Sequence, residues 1–335
     1  MQGDNHDAST PGGWLRVFGR ALDFGGRARV RLAGNGGTRE LALTHRGTWD
    51  LAAEVPADLA CGEYEVTVDS GLGAGAAVPA GRWKVAAAKP FWKETVFDIE
   101  DFGATPNDET DDGWAIAAAL AAAKANGGGV VRIPRGSYCC GRTLELPPHT
   151  LLKGEGRDRS EIAWRDDPNP PPALILGSHS FGVEDLRLSA VAWRNGIATG
   201  MADLRVAGLD GTWKTRTHDV SIRRVRLHFV SDFYRSMYNA DDMWNRFTKD
   251  NGAALRLRAV SRCVIEDTEI YADKKARFYD VDGEYVRFVR SSVSGTGDTW
   301  CVLGGDRVIF EGNTGFNVTY SVNNCSRRMF WGRNR

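Results

Sequence analysis

Phe97-Asp98-Ile99-Glu100-Asp101-Phe102-Gly103-Ala104 is followed by Asn107-Asp108-Glu109-Thr110-Asp111-Asp112 and an alanine-rich run from Trp114 to Ala125. Asn126-Gly127-Gly128-Gly129-Val130-Val131-Arg132-Ile133-Pro134-Arg135-Gly136-Ser137-Tyr138 comes next. The middle of this stretch reads as a helix. Thr110 or Asp111 can accept a bond from an unpaired backbone N–H at its start, and Asp112 suits the positive end of its dipole. Asn126-Gly127 ends it, because glycine enters the left-handed conformation of a C-cap without steric cost. An amphipathic helix is thus clipped between two β runs.

Downstream the chain repeats. Val264-Ile265-Glu266-Asp267, Val286-Arg287-Phe288-Val289 and Val308-Ile309-Phe310-Glu311 recur every 22 residues. Val183-Glu184-Asp185-Leu186-Arg187-Leu188 and Ser221-Ile222-Arg223-Arg224-Val225-Arg226-Leu227 are of the same type at longer intervals, with the largest insertions at 190–218 and 230–252. Repeats with insertions between them are the signature of a stacked solenoid whose loops build a binding surface.

The stretch from Phe97 to Tyr138, continued by Leu146-Pro147-Pro148-His149-Thr150-Leu151-Leu152-Lys153-Gly154-Glu155-Gly156, resembles the opening of the pectate-lyase-like superfamily. That resemblance implies an all-β fold, a right-handed parallel β-helix over 90–335, with the helix covering its first coil and a bias toward polymeric sugars. Under it, Asp101, Asp108, Asp111 and Asp112 are structural caps. The Asn-Thr-Asp, Asp-Asp and Gly-His-Gly set of the polygalacturonase branch is absent, so the resemblance leaves the catalytic residues open.

Ahead of the helix, residues 14–89 alternate short β runs with turn residues: Trp14 to Phe18, Ala28 to Leu32, Glu40 to Leu43, Tyr64 to Val68 and Arg82 to Val85. This suggests a small β-sandwich serving as a spacer. Val55 to Val66, where Pro56 and Gly62 frame a turn before a strand, resembles the penultimate strand of an immunoglobulin-like module. Residues 1–13 are polar and glycine-rich and are expected to be disordered or processed. They hold no signal-peptide core, so a secreted or periplasmic protein would have lost its leader. The last residues, Met329 to Arg335, read as a strand of a further coil with no cap after it, so the β-helix is expected to be truncated or covered by a partner or oligomer contact there.

Composition narrows the partners. Lys plus Arg and Asp plus Glu are both 43, so no basic excess points to nucleic acid, and no apolar run is long enough for a membrane span. Eleven tryptophans against six histidines suit sugar-stacking faces better than a metal-rich site. The six cysteines form no CxxC pair and read as small buried residues. No cofactor is implied, and calcium is compatible with the acidic loop described next.

Superposing coils by the 22-residue period sets Leu255 to Ala259 beside Arg277 to Val281 and Thr299 to Leu303. With Leu255, Leu257 and Ala259 inward, alternation sends Arg256, Arg258, Phe278, Asp280, Trp300 and Val302 outward. Asp280 then neighbours Arg258, and Phe278 and Trp300 form an aromatic ladder, a combination that suits a saccharide groove. The insertion supplies Tyr234, Asp241, Asp242, Trp244 and Lys249 as a wall, with Asp241-Asp242 as acid/base or cation ligand.

The leading functional expectation is a glycoside hydrolase using Asp280 with Asp241 or Asp242. The alternative is a polysaccharide lyase, with Lys249 or Tyr279 as base and Arg256 or Arg258 neutralising a uronate. The third reading is a non-catalytic, adhesin-like or tailspike-like binder.

Overall fold

The computed structural model describes residues 8–34, 37–73, 77–87, 91–167, 169–199, 217–230, 252–272, 277–295, 298–316, 319–326 and 329–335. The chain divides into two compact units, Met1–Pro90 and Phe91–Arg335.

In the first unit Ala8–Ser9, Val78–Val85, Gly62–Asp69, Arg29–Gly34 and Gly37–Glu40 form one sheet, and Trp14–Phe18, Asp50–Glu54 and Leu43–Arg46 form another. Period-two alternation points Val30, Leu32, Tyr64, Val66 and Trp83 from the first, and Leu15, Leu51 and Ala53 from the second, into one shared core. The sequence reading differs at three places. Ala8–Ser9, in the stretch expected to be disordered, pairs with Lys84 and Val85. The run from Glu40 to Leu43 is split between the two sheets, and Asp50–Glu54 is an additional strand. Asp50 is nearly buried and accepts bonds from Arg16 at 2.7 and 2.9 Å, the kind of pairing a buried carboxylate requires.

The second unit is a parallel β-helix with three faces. Face A comprises Leu144–Leu146, Ile175–Gly177, Ile197–Thr199, the first halves of Ala253–Glu266, Arg277–Val289 and Asp298–Glu311, and Thr319–Ser326. Face B continues from it through Gly129–Ile133, Thr150–Gly154, Phe181–Glu184, Thr217–Arg223, the second halves of the three long strands, and Met329–Gly332. Face C stacks Gly136–Cys140, Ser160–Trp164, Arg187–Ala190, Arg226–Phe229, Glu269–Ala272, Ser292–Ser294 and Thr314–Phe316.

Identical positions stack inside the coil: Leu144, Ile175, Ile197, Leu255, Tyr279 and Cys301 on face A, and Leu152, Val183, Ile222, Ile265, Phe288 and Phe310 on face B. Each such fully buried side chain contributes about 1.5–3 kcal/mol. Gly113–Ala125 is the helix that closes this core, packing Ile116, Ala119, Leu120 and Ala123 against the first coil. Its capping differs in detail from the expectation. Asp111 accepts from Gly113 N at 3.0 Å, whereas Asp112, 2% exposed, accepts from Thr105 N at 2.9 Å and Cys139 N at 3.2 Å. Asp112 therefore fastens the helix start to the first coil.

Two columns of non-glycine residues sit in the left-handed region at equivalent corners. His149, Ser180, Asp219, Arg262, Tyr285 and Arg307 mark the turn from face A to face B, and Asp185, Arg224, Asp267 and Arg290 mark the turn from B to C. Such a conformation costs roughly 1–2 kcal/mol per residue. Side-chain pairing between coils offsets part of it: Arg224 grips Asp185 with two bonds (2.6 and 3.0 Å), and Arg290 grips Asp267 with two (3.0 and 3.2 Å).

Among the described residues no helix is long and apolar enough to cross a membrane. Cys140, Cys263 and Cys301 are buried as expected, while Cys61 is exposed.

Candidate functional site

Among the three long strands the 22-residue register holds only between the last two. Asp280 pairs with Val302 and Val286 with Val308, but Leu255 pairs with Tyr279 rather than Arg277, and Arg256 rather than Arg258 stands directly opposite Asp280. An irregularity between Leu257 and Val260 absorbs the difference, so Cys263 takes the place beside Val286 that the repeat assigned to Val264. The error on face A is two residues, which preserves facing. On face B it is one residue, which inverts it. Ala259, expected inward, is a half-buried left-handed residue at this irregularity.

Arg256, Arg258 and Asp280 accordingly do share the outer side of face A. Arg258 reaches diagonally from its own coil to the next, where its Nη2 donates to Asp280 Oδ2 at 2.5 Å and its Nη1 to Asp282 Oδ2 at 3.4 Å. Asp282 Oδ1 also accepts from Ala259 N at 2.9 Å. On the preceding coil Thr199 Oγ1 accepts from Arg258 N at 3.1 Å, and Asn195 Oδ1 accepts from Arg256 Nη1 at 3.4 Å. Arg258 Nε is buried and has no hydrogen-bond partner among the described residues.

Burial divides the two carboxylates. The Asp280 side chain is 0% exposed beneath the guanidinium, whereas that of Asp282 is 19% exposed. Desolvation pushes the Asp282 carboxyl above the usual range, against the opposing pull of the Ala259 N–H and Arg258. Asp282 was missed in the sequence, although it lies two positions beyond Asp280 and so shares its face. Its strand neighbour Gly304 leads into Gly305, where φ is 123° and a Cβ would overlap the Gly283 carbonyl, so only glycine lets the coils stack this closely.

Phe278 is not a groove residue. It is fully buried in the core, because Ala253, Ala254 and Leu255 are all buried where the strand enters face A, and strict alternation does not apply there. Tyr279 also points inward, packed against Phe288 and Phe310 at ring separations of 4.9 and 6.0 Å, which removes it as a base. The backbone of Trp300 lies in Asp298–Glu311, but its side chain is outside the described residues, as are Tyr234, Asp241, Asp242, Trp244 and Lys249. Among the described residues no group of three or more His, Cys, Asp or Glu side chains is placed to hold a metal.

A second polar cluster occupies the turn from face A to face B. The His179 ring stacks on His218 at 4.7 Å and meets His149 edge-on at 5.7 Å. His218 Nδ1 lies 2.6 Å from Asp219 Oδ2, and Arg262 donates two bonds to Asp219 at 2.6 and 2.8 Å. Burial and the neighbouring imidazoles lower the His179 pKa. Burial would raise Asp219, but the bonds from Arg262 and His218 outweigh it and hold the carboxylate below its usual range. The sequence offered no ligand spacing for these histidines, since coil stacking brings them together.

Comparison with known proteins supports the resemblance where it was read. Residues 96–168 match the family model described as rhamnogalacturonase A/epimerase, pectate lyase-like. The chain is 27% identical over 216 residues to mannuronan C5-epimerase AlgE1 of Azotobacter vinelandii, covering 60% of this chain and 14% of that protein. It thus spans about one seventh of the length of that curated relative. Among solved structures, the A-module of mannuronan C-5 epimerase AlgE6 of Azotobacter vinelandii aligns with a TM-score of 0.46 at 18% identity, over 70% of this chain and 58% of that one. A family 28 exopolygalacturonase of Yersinia enterocolitica aligns with a TM-score of 0.41 at 12% identity, over 96% and 68%.

Proposed function

We propose that the chain acts on a uronate-containing polysaccharide at the outer side of face A, by moving the proton on C5 of the sugar. The observation that carries this reading is Arg258, fixed between buried Asp280 and protonatable Asp282. C5 deprotonation places negative charge next to the sugar carboxylate. Arg256 and Arg258 can oppose that charge, and preorganised cations of this kind lower such barriers most when water is excluded. Asp282, whose pKa is raised by burial, is suited to take or return a proton. Asp280 acts as a positioning residue for Arg258.

Hydrolysis asks for two carboxylates flanking the glycosidic bond with access to it. Asp280 is covered by Arg258, which disfavours it for that role. The relative of the highest identity quoted above is, by its name, an epimerase acting at C5 of mannuronan. Epimerisation and the lyase alternative share this first step and differ in whether the proton is returned or the leaving group departs. Lys249 remains a candidate base. A secreted or periplasmic location fits a polysaccharide substrate.

The test is a panel of polyuronates and neutral polysaccharides assayed for ultraviolet-absorbing unsaturated ends, altered C5 configuration and new reducing ends. The reading expects one of the first two on a polyuronate, reduced about 10²-fold or more in Arg258→Met. Reducing ends alone, or turnover restricted to neutral glycans, would refute it.

A further inference from the structure

Face C carries a polar cleft of about 580 Å³ between the first coils, within the range of small-molecule sites. Its charge is layered. Arg157, Arg187 and Arg226 are held by carboxylates: Arg226 by Asp158 (2.5 Å) and Glu269 (2.6 Å), Arg157 by Glu269 (3.1 Å), and Arg187 by Glu161 (3.2 Å). Arg135 and Arg159 differ. Both line the cleft, both are exposed, and neither has an ion-pair partner among the described residues.

The two belong to consecutive coils. Gly136 is paired with Ser160, and Gly136 N donates to Arg159 O, so the guanidiniums stem from backbone about 4.8 Å apart. Two long guanidinium side chains rooted on adjacent coils can converge on one anion placed between them. Among the described residues no aromatic ring lines the cleft, so they offer a neutral sugar no stacking surface. The Ser137 and Asn107 side chains on its wall suit hydroxyl contacts.

We infer that this cleft is a second saccharide site, separate from the outer side of face A, that binds an acidic sugar through its carboxylate or sulfate ester, with Arg135 and Arg159 as the anion clamp. The anion follows from the cleft alone. The choice of a sugar to carry it rests on the polysaccharide reading above. The site binds and performs no chemistry, and it would hold a polymer on the coil stack while another stretch of it occupies face A.

Isothermal titration of the full chain tests this with three probes: a tetrameric oligouronate, a sulfated galactan oligosaccharide and an uncharged cello-oligosaccharide. The expected result is a binding event for an acidic probe that Arg135→Ala/Arg159→Ala weakens about tenfold or more, as for lost charge-assisted bonds, and that Arg256→Ala on face A leaves in place. Which acidic probe binds identifies carboxylate or sulfate as the anion. Unchanged affinity in the double variant, absence of binding by both acidic probes, or equal binding of the uncharged probe would overturn the inference. Both side chains are exposed, so unchanged thermal unfolding is expected, and Arg135→Gln/Arg159→Gln repeats the measurement with stem packing kept. If the face A reading fails, Arg256→Ala leaves every binding event intact while the double variant still removes one.

Discussion

Replacing Arg258 by Met should be among the most disruptive single changes on the outer side of face A. Asp280 is 0% exposed, and Arg258 Nη2, 2.5 Å from Oδ2, is its charge partner on the neighbouring coil. Breaking a buried pair by removing one of its members costs about 3–5 kcal/mol. In a domain of this size that corresponds to a fall in Tm of roughly 6–20 °C. The Arg258→Met/Asp280→Asn double variant keeps neither charge, so its cost should fall short of the sum of the single variants by about 2 kcal/mol. Urea unfolding followed by near-ultraviolet circular dichroism reads both quantities, with the transition of the N-terminal unit as an internal reference. Additivity within about 0.5 kcal/mol would mean that the two side chains act independently and would remove Asp280 as the positioning group for Arg258.

Four further substitutions test the same geometry. Asp282→Asn should lower kcat by about 10²-fold or more with little loss of binding. Because burial raises the folded-state pKa of Asp282, its stabilising contribution is greatest below the unfolded carboxylate value and is lost as pH rises through the folded value, so the variant should gain stability relative to the parent over that rise. Asp219 is shifted the other way: its contribution is present above the unfolded value and lost as pH falls through the folded one, so Asp219→Asn should flatten the acid limb of the stability profile. Phe278→Ala should cost about 3–5 kcal/mol in denaturant titration, whereas a change within about 0.5 kcal/mol would return the ring to the surface. Asp112→Ala strips acceptors from Thr105 N and Cys139 N, and hydrogen exchange should accelerate at the helix and the first coil before the later coils.

The parts of the fold legible in the sequence were those set by local chemistry. The helix is bounded by short-range signals, Asp111 accepting from Gly113 N at its start and Gly127 in the left-handed region past its end, and the inward stacking of Leu255 and Leu257 follows from a period of two. What escaped was set by the stacking of coils. The irregularity after Leu257 leaves no local signature, and the left-handed corners are occupied by His149, Asp219, Arg262 and Tyr285 rather than glycine, so nothing in composition marks where a strand turns from face A to face B. Phe278 was misplaced for the same reason: at the entry to face A, burial follows the corner and not the alternation. Asp282 was within reach of the period-two argument applied one step further. The histidine stack and the Arg135–Arg159 clamp lie between coils, and only register brings their members together.

The central claim, that the chain moves the C5 proton of a uronate polymer at face A, is tested most directly by isotope exchange. Polymannuronate incubated with the full chain in deuterated water and followed by proton magnetic resonance should lose its C5 signal, with inverted C5 configuration or unsaturated ends as the product. Arg258→Met and Asp282→Asn should suppress that loss. Retention of the C5 proton while new reducing ends accumulate, or exchange that survives both substitutions, would contradict the account.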